Sequence, residues 1–309
     1  MSNQEASTAV AIVFAYHNVG ARCLEVMLEQ GLHIALVLTH DDDPGETIWF
    51  DSVRRIAEAH GVPVIAPEDP NAPEVIERIR SLKPDVLFSF YYRRMLSPAL
   101  LTTAGRGAYN MHGSLLPKYR GRVPVNWAII KGETETGATL HEMVEKPDAG
   151  RIVDQQSVPI GPDDLAIDVF HKITDAAASV LRRSLPGLVD GTARLTAQDL
   201  SRGSYFSGRK PEDGRIDWSQ PAVAVHNLVR AVAPPYPGAF TDIAGTRLRV
   251  LRSRLAGERR ACPGGPGLYS EGGLLYADCG DDCVLQLLHT EGGPPHWPEQ
   301  TKIPFEQKT

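Results

Sequence analysis

Residues 9–15, AVAIVFA, form an apolar segment without a single polar residue. A strand with only one buried face alternates apolar and polar residues, so this continuous pattern predicts a strand that is buried on both faces. Such strands occur in parallel sheets that carry helices on both sides, because an uncovered face would leave apolar side chains in water. This segment therefore restricts the chain to an α/β fold.

Helical and strand patterns alternate after this first strand. Leu24, Met27 and Leu28 have helical spacing, and residues 33–39 form a second apolar strand. Two further helices are predicted at residues 49–60 and 73–82, and two further strands at residues 62–66 and 85–90. This βαβα order predicts a Rossmann-like, mostly parallel sheet with helices on both faces.

The loop after the first strand excludes two common classes of nucleotide-binding protein. Residues 16–20 read Tyr-His-Asn-Val-Gly, so the G-x-G-x-x-G fingerprint of dinucleotide-binding proteins is missing, and the chain has no Walker A motif. We therefore expect neither a nicotinamide-dependent dehydrogenase nor an NTPase.

The α/β patterns continue at residues 107–111, 123–130, 138–144, 152–158 and 164–188. The pattern changes near Gly191. The polar and basic residues 201–210 are interpreted as a linker. A helix over residues 222–233 follows, with short strands at residues 247–251, 267–270, 273–277 and 284–288. Turns rich in Pro and Gly separate these strands, which predicts a small OB-like β-barrel. We therefore predict a catalytic domain over residues 1–200 and a small β domain over residues 201–309.

Composition and charge limit the partners of the chain. The formal net charge is −6, and an acidic chain is a poor general binder of nucleic acid, although a small anionic substrate needs only a few local cations. No apolar run reaches the ~20 residues of a membrane span. The polar residues 1–8 do not resemble a signal peptide, so we expect a cytosolic protein. Cys279 and Cys283 fit no standard zinc spacing and are interpreted as flanking a hairpin turn, so no metal is expected.

The residues that carry chemistry begin at a predicted strand end. Asn110 and His112 are two positions apart, and residues i and i+2 of a strand face the same way. Their amide and imidazole are predicted to project together at the carboxyl edge of the sheet, where open α/β sheets bind ligands. Asp148 lies in a loop flanked by Pro147 and Gly150, and sequence spacing alone does not place it near His112.

Several segments carry a resemblance to a known family. Residues 110–121 read N-M-H-G-S-L-L-P-K-Y-R-G, P-D-A-G follows at residues 147–150, and P-G-A-F at residues 237–240. In this order they resemble the formyltransferases that use 10-formyltetrahydrofolate, and the resemblance covers almost the whole chain. Within that family, FAYH, DPGE, FSFYYR and GETETG, at residues 14–17, 43–46, 88–93 and 132–137, are most similar to the formyltransferase domain of the bifunctional enzyme that modifies UDP-4-amino-4-deoxy-L-arabinose.

The resemblance implies an activity. A formyl group passes from 10-formyltetrahydrofolate to the amine of a nucleotide-linked amino sugar, by direct attack through a tetrahedral intermediate. UDP-4-amino-4-deoxy-L-arabinose is the expected acceptor, and lipid A modification is the expected context. Because the sequence ends at Thr309, we expect a separate decarboxylating dehydrogenase to make the precursor.

The resemblance also implies roles for individual residues. Asn110, His112 and Asp148 are the expected catalytic residues. The chemistry needs such groups: a base for the amine proton, which His112 can supply, and a donor for the oxyanion, which for Asn110 is worth about 3–4 kcal/mol. Asp148 is expected to orient His112 and to raise its pKa.

Ligand-binding residues follow from the same resemblance. The expected folate contacts are Arg94, Met95, Leu96, Arg122, Val144, Glu145, Lys146, Pro147 and Asp148. Met95 and Leu96 are expected to pack on the pterin face. The cationic candidates for the diphosphate are Lys118, Arg120, Arg209 and Lys210. Trp127 and Trp218 are expected in the core.

Three other functions remain open at this point. Methionyl-tRNA formyltransferase shares the expected fold and catalytic residues, but it must hold a polyanion, which the net charge of −6 disfavours. A 10-formyltetrahydrofolate hydrolase could use the same residues with water in place of the amine. A non-catalytic folate or nucleotide-sugar binding protein would be expected to lack part of the catalytic set.

Overall fold

A computed structural model describes residues 9–294, 297 and 301–305, so the polar residues 1–8 lie outside the described residues. The first elements in chain order are β1 (Val10–Ala15), α1 (His17–Glu29), β2 (His33–Leu38), α2 (Val53–Ala59), β3 (Val64–Ile65), α3 (Pro73–Ser81), β4 (Val86–Phe90), α4 (Pro98–Leu101), β5 (Ala108–His112) and β6 (Arg120–Gly121). The next are α5 (Pro124–Ile130), β7 (Glu135–Glu142), β8 (Ile152–Pro159), α6 (Ala166–Asp190) and β9 (Tyr205–Phe206). The last are α7 (Ala222–Val232), β10 (Ala239–Ile243), β11 (Thr246–Arg260), β12 (Gly267–Glu271), β13 (Leu274–Asp278), β14 (Cys283–Gly292) and β15 (Ile303–Pro304).

The chain divides into two compact units. The first consists of the residues up to Gly121 together with Thr136–Val158 and His171–Phe206, and the second of Arg122–Glu135, Pro159–Phe170 and Ser207–Thr309. Two segments of the second unit thus precede residue 200 in the sequence. The division into domains over residues 1–200 and 201–309 stays a prediction.

The first unit contains a seven-stranded sheet in the order β3-β2-β1-β4-β5-β7-β8. Strands β1 to β5 pair in parallel, and the second unit contains an antiparallel sheet, which confirms the predicted α/β class. The side chains of Ile12, Val13 and Phe14 in β1 are fully buried. Burial of consecutive residues means that both faces of β1 are covered, as its continuous apolar sequence predicts.

Local sequence determines where the first helices begin. Helix α2 starts at Val53, not at residue 49, because the Ser52 side chain caps it by accepting a hydrogen bond from the Arg55 N–H at 3.3 Å. Helix α3 begins with Pro73, and it has Glu74 in its first turn and Arg80 in its last, which complements the helix dipole. Its Ile79 is fully buried against β1 and β2 residues in the core.

One strand of this sheet runs against the others. Strand β7 pairs antiparallel with β5, with Asn110 opposite His141 and His112 opposite Thr139. An antiparallel partner begins where its neighbour ends, so the loop after β7 and the loop after β5 emerge at opposite ends of the pair. This pairing brings polar side chains of two strands into direct contact.

The predicted linker over residues 201–210 is wrong in its first part. A 3-10 turn spans Leu200–Arg202, and β9 pairs in parallel with β6. The aromatic residues of β9 account for the difference, because they favour a strand and because Phe206 stacks on Tyr119 with ring centroids 5.4 Å apart.

The second unit contains a six-stranded antiparallel sheet in the order β10-β11-β14-β13-β12-β15. Sequence patterns predicted four of its strands, but β11 spans 15 residues, far beyond the predicted residues 247–251. Strands β10 and β15 were not predicted. Asp242 and Arg247 face each other across the β10–β11 pair, and such polar strand residues hide the alternation that marks a strand. Within the described part of the chain, no helix is long and apolar enough to cross a membrane.

The packing of β7 against β8 leaves no room for a side chain at Gly137. A Cβ atom at this position would overlap the backbone carbonyl oxygen of Gln156 and would lie 2.6 Å from Cδ2 of Leu115. Overpacking of this kind typically costs about 1–3 kcal/mol, so we expect Gly137→Ala to lower the free energy of unfolding by that amount in chemical denaturation.

Gly105→Ala is the matched control, because nothing lies within 4 Å of a Cβ atom at Gly105. We expect it to change the free energy of unfolding by less than about 0.5 kcal/mol. Equal stability of the two variants would contradict the close approach of β7 and β8.

Candidate active site

The end of β5 carries two of the predicted catalytic residues. Asn110 and His112 are two positions apart and lie on the same side of the strand. His112 is buried, with 6% of its surface exposed. Their placement at the carboxyl end of β5 agrees with the prediction from their spacing.

Asp148 joins them from the loop between β7 and β8. Its Oδ1 lies 3.6 Å from Nδ1 of His112, and its Oδ2 accepts a hydrogen bond from the Gly121 N–H at 2.8 Å. The φ of Asp148 is +53°, a left-handed conformation that aspartate tolerates better than most residues. Its carbonyl oxygen accepts a hydrogen bond from Nε2 of Gln198 at 3.0 Å, which holds the loop in place. The structure thus places Asp148 beside His112, which sequence spacing alone could not do.

His112 has a polar partner at each ring nitrogen. Its Nε2 lies 2.8 Å from the backbone oxygen of Tyr119, and its Nδ1 faces Asp148. A carbonyl oxygen only accepts, so Nε2 donates to Tyr119, and the carboxylate of Asp148 favours a proton on Nδ1 as well. Both partners stabilise the protonated ring.

Burial opposes these partners. It lowers the pKa of His112, and it outweighs the charge of Asp148 and the hydrogen bond to Tyr119, both of which raise that pKa. The expected effect of Asp148 on the pKa of His112 is therefore present, but the net pKa lies below the ordinary histidine value. The imidazole is neutral at pH 7.

Asp148 is ionised in this environment. Burial raises the pKa of its carboxyl group, but the neighbouring imidazoles of His112 and His141 and the Gly121 N–H together hold the pKa well below its usual range. A carboxylate that accepts several hydrogen bonds remains charged even when buried.

His141 also belongs to this cluster, although sequence reasoning missed it. Its Nε2 lies 3.2 Å from Nδ2 of Asn110 and 3.4 Å from Oδ1 of Asp148. No motif marks His141, because its place depends on the register of β7 against β5. The only available signal was a histidine within a predicted apolar strand.

The predicted folate residues differ in accessibility. The side chain of Leu96 is buried in the core beside Phe14 and Leu100, whereas Met95 is 61% exposed and Val144 is 41% exposed. Arg94, Glu145 and Lys146 are exposed, and Pro147 is half-buried. Of the two residues expected to pack on the pterin, Met95 has the accessible side chain.

A single asparagine fixes the backbone around Met95. The Asn71 side chain donates from Nδ2 to the backbone oxygen of Met95 at 2.9 Å and accepts at Oδ1 from the Ser97 N–H at 2.7 Å. These two hydrogen bonds hold the segment from Met95 to Ser97 in one conformation.

The predicted cationic residues are divided between the two units. Lys118 and Arg120 belong to the first, whereas Arg122, Arg209 and Lys210 belong to the second. Lys118 is exposed, but Arg120 is only 8% exposed, and its Nε is buried without a hydrogen-bond partner in the described part of the chain. An unpaired polar group at a buried position costs free energy, which an anionic ligand would recover.

In the second unit, Arg209 and Lys210 line a cavity of about 120 Å³. The guanidinium of Arg209 lies over the Trp127 ring, 4.9 Å from its centroid. Trp127 is half-buried and makes a cation–π contact, so it is not fully in the core as expected. Trp218 is buried, as expected, and stacks on Phe305.

A larger cavity in the first unit was not predicted from the sequence. It has a volume of about 300 Å³ and is lined by residues that follow β1 and β2, among them Tyr16, His40 and Phe50. The Tyr16 ring makes edge contacts with His40 and Phe50 at centroid distances of 5.2 and 5.0 Å. The position agrees with ligand binding at the carboxyl ends of parallel strands. Among the described residues, no cluster of His, Cys, Asp or Glu could hold a metal ion.

Several solved structures have a similar fold. An N-formyltransferase from Helicobacter canadensis, solved with folinic acid and dTDP-3-aminofucose, is 22% identical, with a TM-score of 0.70 over 90% of this chain and 98% of that chain. WlaRD, a sugar 3N-formyl transferase solved with dTDP and 5-N-formyl-THF, is 20% identical, with a TM-score of 0.69 over 90% of this chain and 96% of that chain. HypX from Aquifex aeolicus, solved with tetrahydrofolic acid, is 18% identical, with a TM-score of 0.63 over 95% of this chain and 45% of that chain.

Family models extend this likeness from fold to descent. The model described as formyl transferase matches residues 8–185, and the model of the formyl transferase C-terminal domain matches residues 209–297. The first match alone spans more than half of the 309 residues and contains Asn110, His112 and Asp148. The chain therefore belongs to the formyl transferase family.

Proposed function

We propose that this chain transfers a formyl group from 10-formyltetrahydrofolate to the amine of a nucleotide-linked amino sugar. The observation that carries this proposal is the grouping of Asn110, His112 and Asp148 in a formyl transferase chain, with Asp148 beside His112 and joined to Asn110 through His141. The Helicobacter canadensis enzyme and WlaRD, which share the fold, were solved with a folate and with dTDP-3-aminofucose or dTDP. These ligands support the two substrate classes.

In the proposed reaction, the loop that carries Tyr119 moves away from Nε2 of His112, and the attacking amine takes its place and gives its proton to Nε2. The imidazole is neutral at pH 7 because burial lowers its pKa, so it can accept a proton. Once protonated, the ring is stabilised by Asp148 at Nδ1. His112 then returns the proton to the departing folate nitrogen. A positioned base of this kind contributes about 10²–10⁴-fold to the rate.

Asn110 has a separate role in the proposal. Its side-chain N–H donates to the formyl oxygen, where negative charge develops as the amine attacks. A preorganised donor of this type is worth on the order of 3–4 kcal/mol, because it is aimed at the charge before the reaction begins. No residue of the chain forms a covalent bond to the formyl group in this scheme.

The segments around Met95 and Val144 fit a folate. Both side chains are large, apolar and exposed, and exposed apolar residues near a polar cluster are typical of ligand sites. The hydrogen bonds from Asn71 leave the backbone beside Met95 ordered, as recognition of a flat heterocycle requires. We propose that Arg94 to Leu96 and Val144 to Asp148 contact the pterin, and that Arg122 is a further folate contact.

The proposed sugar nucleotide is UDP-4-amino-4-deoxy-L-arabinose. The buried Arg120, whose Nε has no partner in the described residues, is the best-supported diphosphate contact. Lys118, Arg209 and Lys210 are further proposed contacts. The cavity of the first unit is mostly polar, but the rings of Tyr16, His40 and Phe50 in its lining could stack on a nucleotide base.

The proposed function makes a prediction about the acceptor. In an assay that follows release of tetrahydrofolate from 10-formyltetrahydrofolate, we expect release that depends on UDP-4-amino-4-deoxy-L-arabinose and not on initiator Met-tRNA. We expect His112→Asn to lower this rate at least about 100-fold, because it removes the base. His60→Asn is the control, because His60 is exposed on the surface just after α2.

Other outcomes of this assay distinguish the rival functions. Release with the tRNA alone would place the chain in translation initiation. Release without any amine would identify a hydrolase, and folate binding without release would identify a binding protein. Release with a dTDP-linked amino sugar alone would keep the class of reaction and replace the acceptor.

The second prediction concerns pH. Because the pKa of His112 lies below the ordinary histidine value of about 6.5, we expect kcat, measured at saturating amino sugar so that ionisation of the free amine does not contribute, to fall only below that pH. The Asp148 charge raises the pKa of His112. Asp148→Asn should therefore move this acid limb to lower pH while lowering the plateau at least about tenfold.

The control for this measurement is Asp175→Asn, which removes an exposed carboxylate on α6. Its pH profile should match that of the wild type. An unchanged acid limb in Asp148→Asn, or one at higher pH, would show that Asp148 does not act on the base.

A further inference from the structure

We infer that His141 is a positioning residue for Asn110: it accepts one N–H of the Asn110 amide and so leaves the other N–H for the substrate. This inference rests on the proposed function for its consequence in catalysis, but its structural part does not. Asn110 and His141 are directly opposite across the β5–β7 pair, and Nδ2 of Asn110 lies 3.2 Å from Nε2 of His141.

The backbone determines which nitrogen of His141 carries the proton. Its Nδ1 lies 2.8 Å from the backbone oxygen of Glu142. A carbonyl oxygen only accepts, so Nδ1 is the protonated nitrogen of the neutral ring and Nε2 has a lone pair. That lone pair requires a donor, and the side-chain nitrogen of Asn110 supplies one.

This tautomer decides the orientation of the Asn110 amide. With the amide reversed, its oxygen would face the lone pair of Nε2 and the carboxylate of Asp148, which lies 3.4 Å from Nε2. Three acceptors would then face one another without a proton, a repulsive arrangement in a buried site. The amide is therefore held with its nitrogen toward His141.

The second N–H of the amide remains for the reaction. The two N–H bonds of a side-chain amide diverge by about 120°, so only one can point at His141. Asn110 is half-buried, whereas the side chain of His141 is 3% exposed. His141 is thus covered by protein and can act on a ligand only through a neighbouring side chain.

A rival role for His141 is support of Asp148. If Nε2 were protonated, it would donate to Oδ1 of Asp148 at 3.4 Å and would compete there with Nδ1 of His112 at 3.6 Å. The other charged neighbour, Glu142, is already paired with Arg151 through two hydrogen bonds of 2.8 and 2.9 Å. The two roles give different results in double mutants.

The test compares His141→Leu with His141→Gln. Leucine removes the acceptor, so we expect kcat to fall about 10–100-fold, while KM for folate and for the amino sugar changes less than about threefold, because a donor to the transition state is misdirected. The Oε1 of glutamine can accept from Asn110, so His141→Gln should recover most of the rate. His33→Leu, an exposed histidine at the start of β2, is the control.

Double-mutant cycles assign the partner. We expect His141→Leu to cost less than about twofold in an Asn110→Ala background and to retain its full cost in an Asp148→Asn background, because interacting residues are non-additive. Full additivity with Asn110→Ala would overturn the inference, and loss of the effect only in the Asp148→Asn background would assign His141 to Asp148.

Side-chain NMR tests the structural part without any activity. We expect ¹⁵N shifts of His141 that report a neutral ring protonated at Nδ1. One Asn110 amide proton, assigned by its absence in Asn110→Ala, should exchange slowly in the wild type and rapidly in His141→Leu. An Asn110 amide unaffected by His141→Leu would overturn the inference even if formyl transfer is confirmed. The expected signals in a wild type without formyl transfer would refute the proposed function only.

Discussion

The antiparallel pairing of β5 with β7 is the constraint on which the candidate site depends. It places Asn110 opposite His141, and it places His112, the last residue of β5, opposite Thr139. Asp148 comes from the loop after β7, where the Gly121 N–H and Gln198 hold it. A one-residue slip would turn the site-facing side chains to the other face of the sheet.

Burial and polar contacts shift the pKa of His112 in opposite directions. Burial disfavours the charged imidazole, whereas Tyr119 and Asp148 favour it. The result is a ring that is neutral when it meets the amine and stabilised once it is protonated. The same balance leaves Asp148 ionised, because it accepts hydrogen bonds that offset its burial. A base of this kind needs no metal and no covalent intermediate in the proposed scheme.

The sequence predicted what depends on local pattern. The apolar residues of β1 indicated a strand buried on both faces, and the spacing of Asn110 and His112 placed both at one strand end. It did not predict what depends on register. Whether Asp148 meets His112, and whether His141 meets Asn110, follows from the pairing of distant strands. The two-residue strand β9 was missed for a related reason, because it is defined by its pairing with β6.

The most direct test of the central claim is a crystal structure of the chain with a stable N10-formyl folate analogue, 10-formyl-5,8-dideazafolate, and UDP-4-amino-4-deoxy-L-arabinose. We expect the formyl oxygen within hydrogen-bond distance of Asn110 Nδ2, about 2.7–3.2 Å, and the sugar amine beside His112. The ring that replaces the pterin should lie against Met95. A formyl group bound away from Asn110, or an amine that His112 cannot reach after the loop carrying Tyr119 has adjusted, would contradict the account.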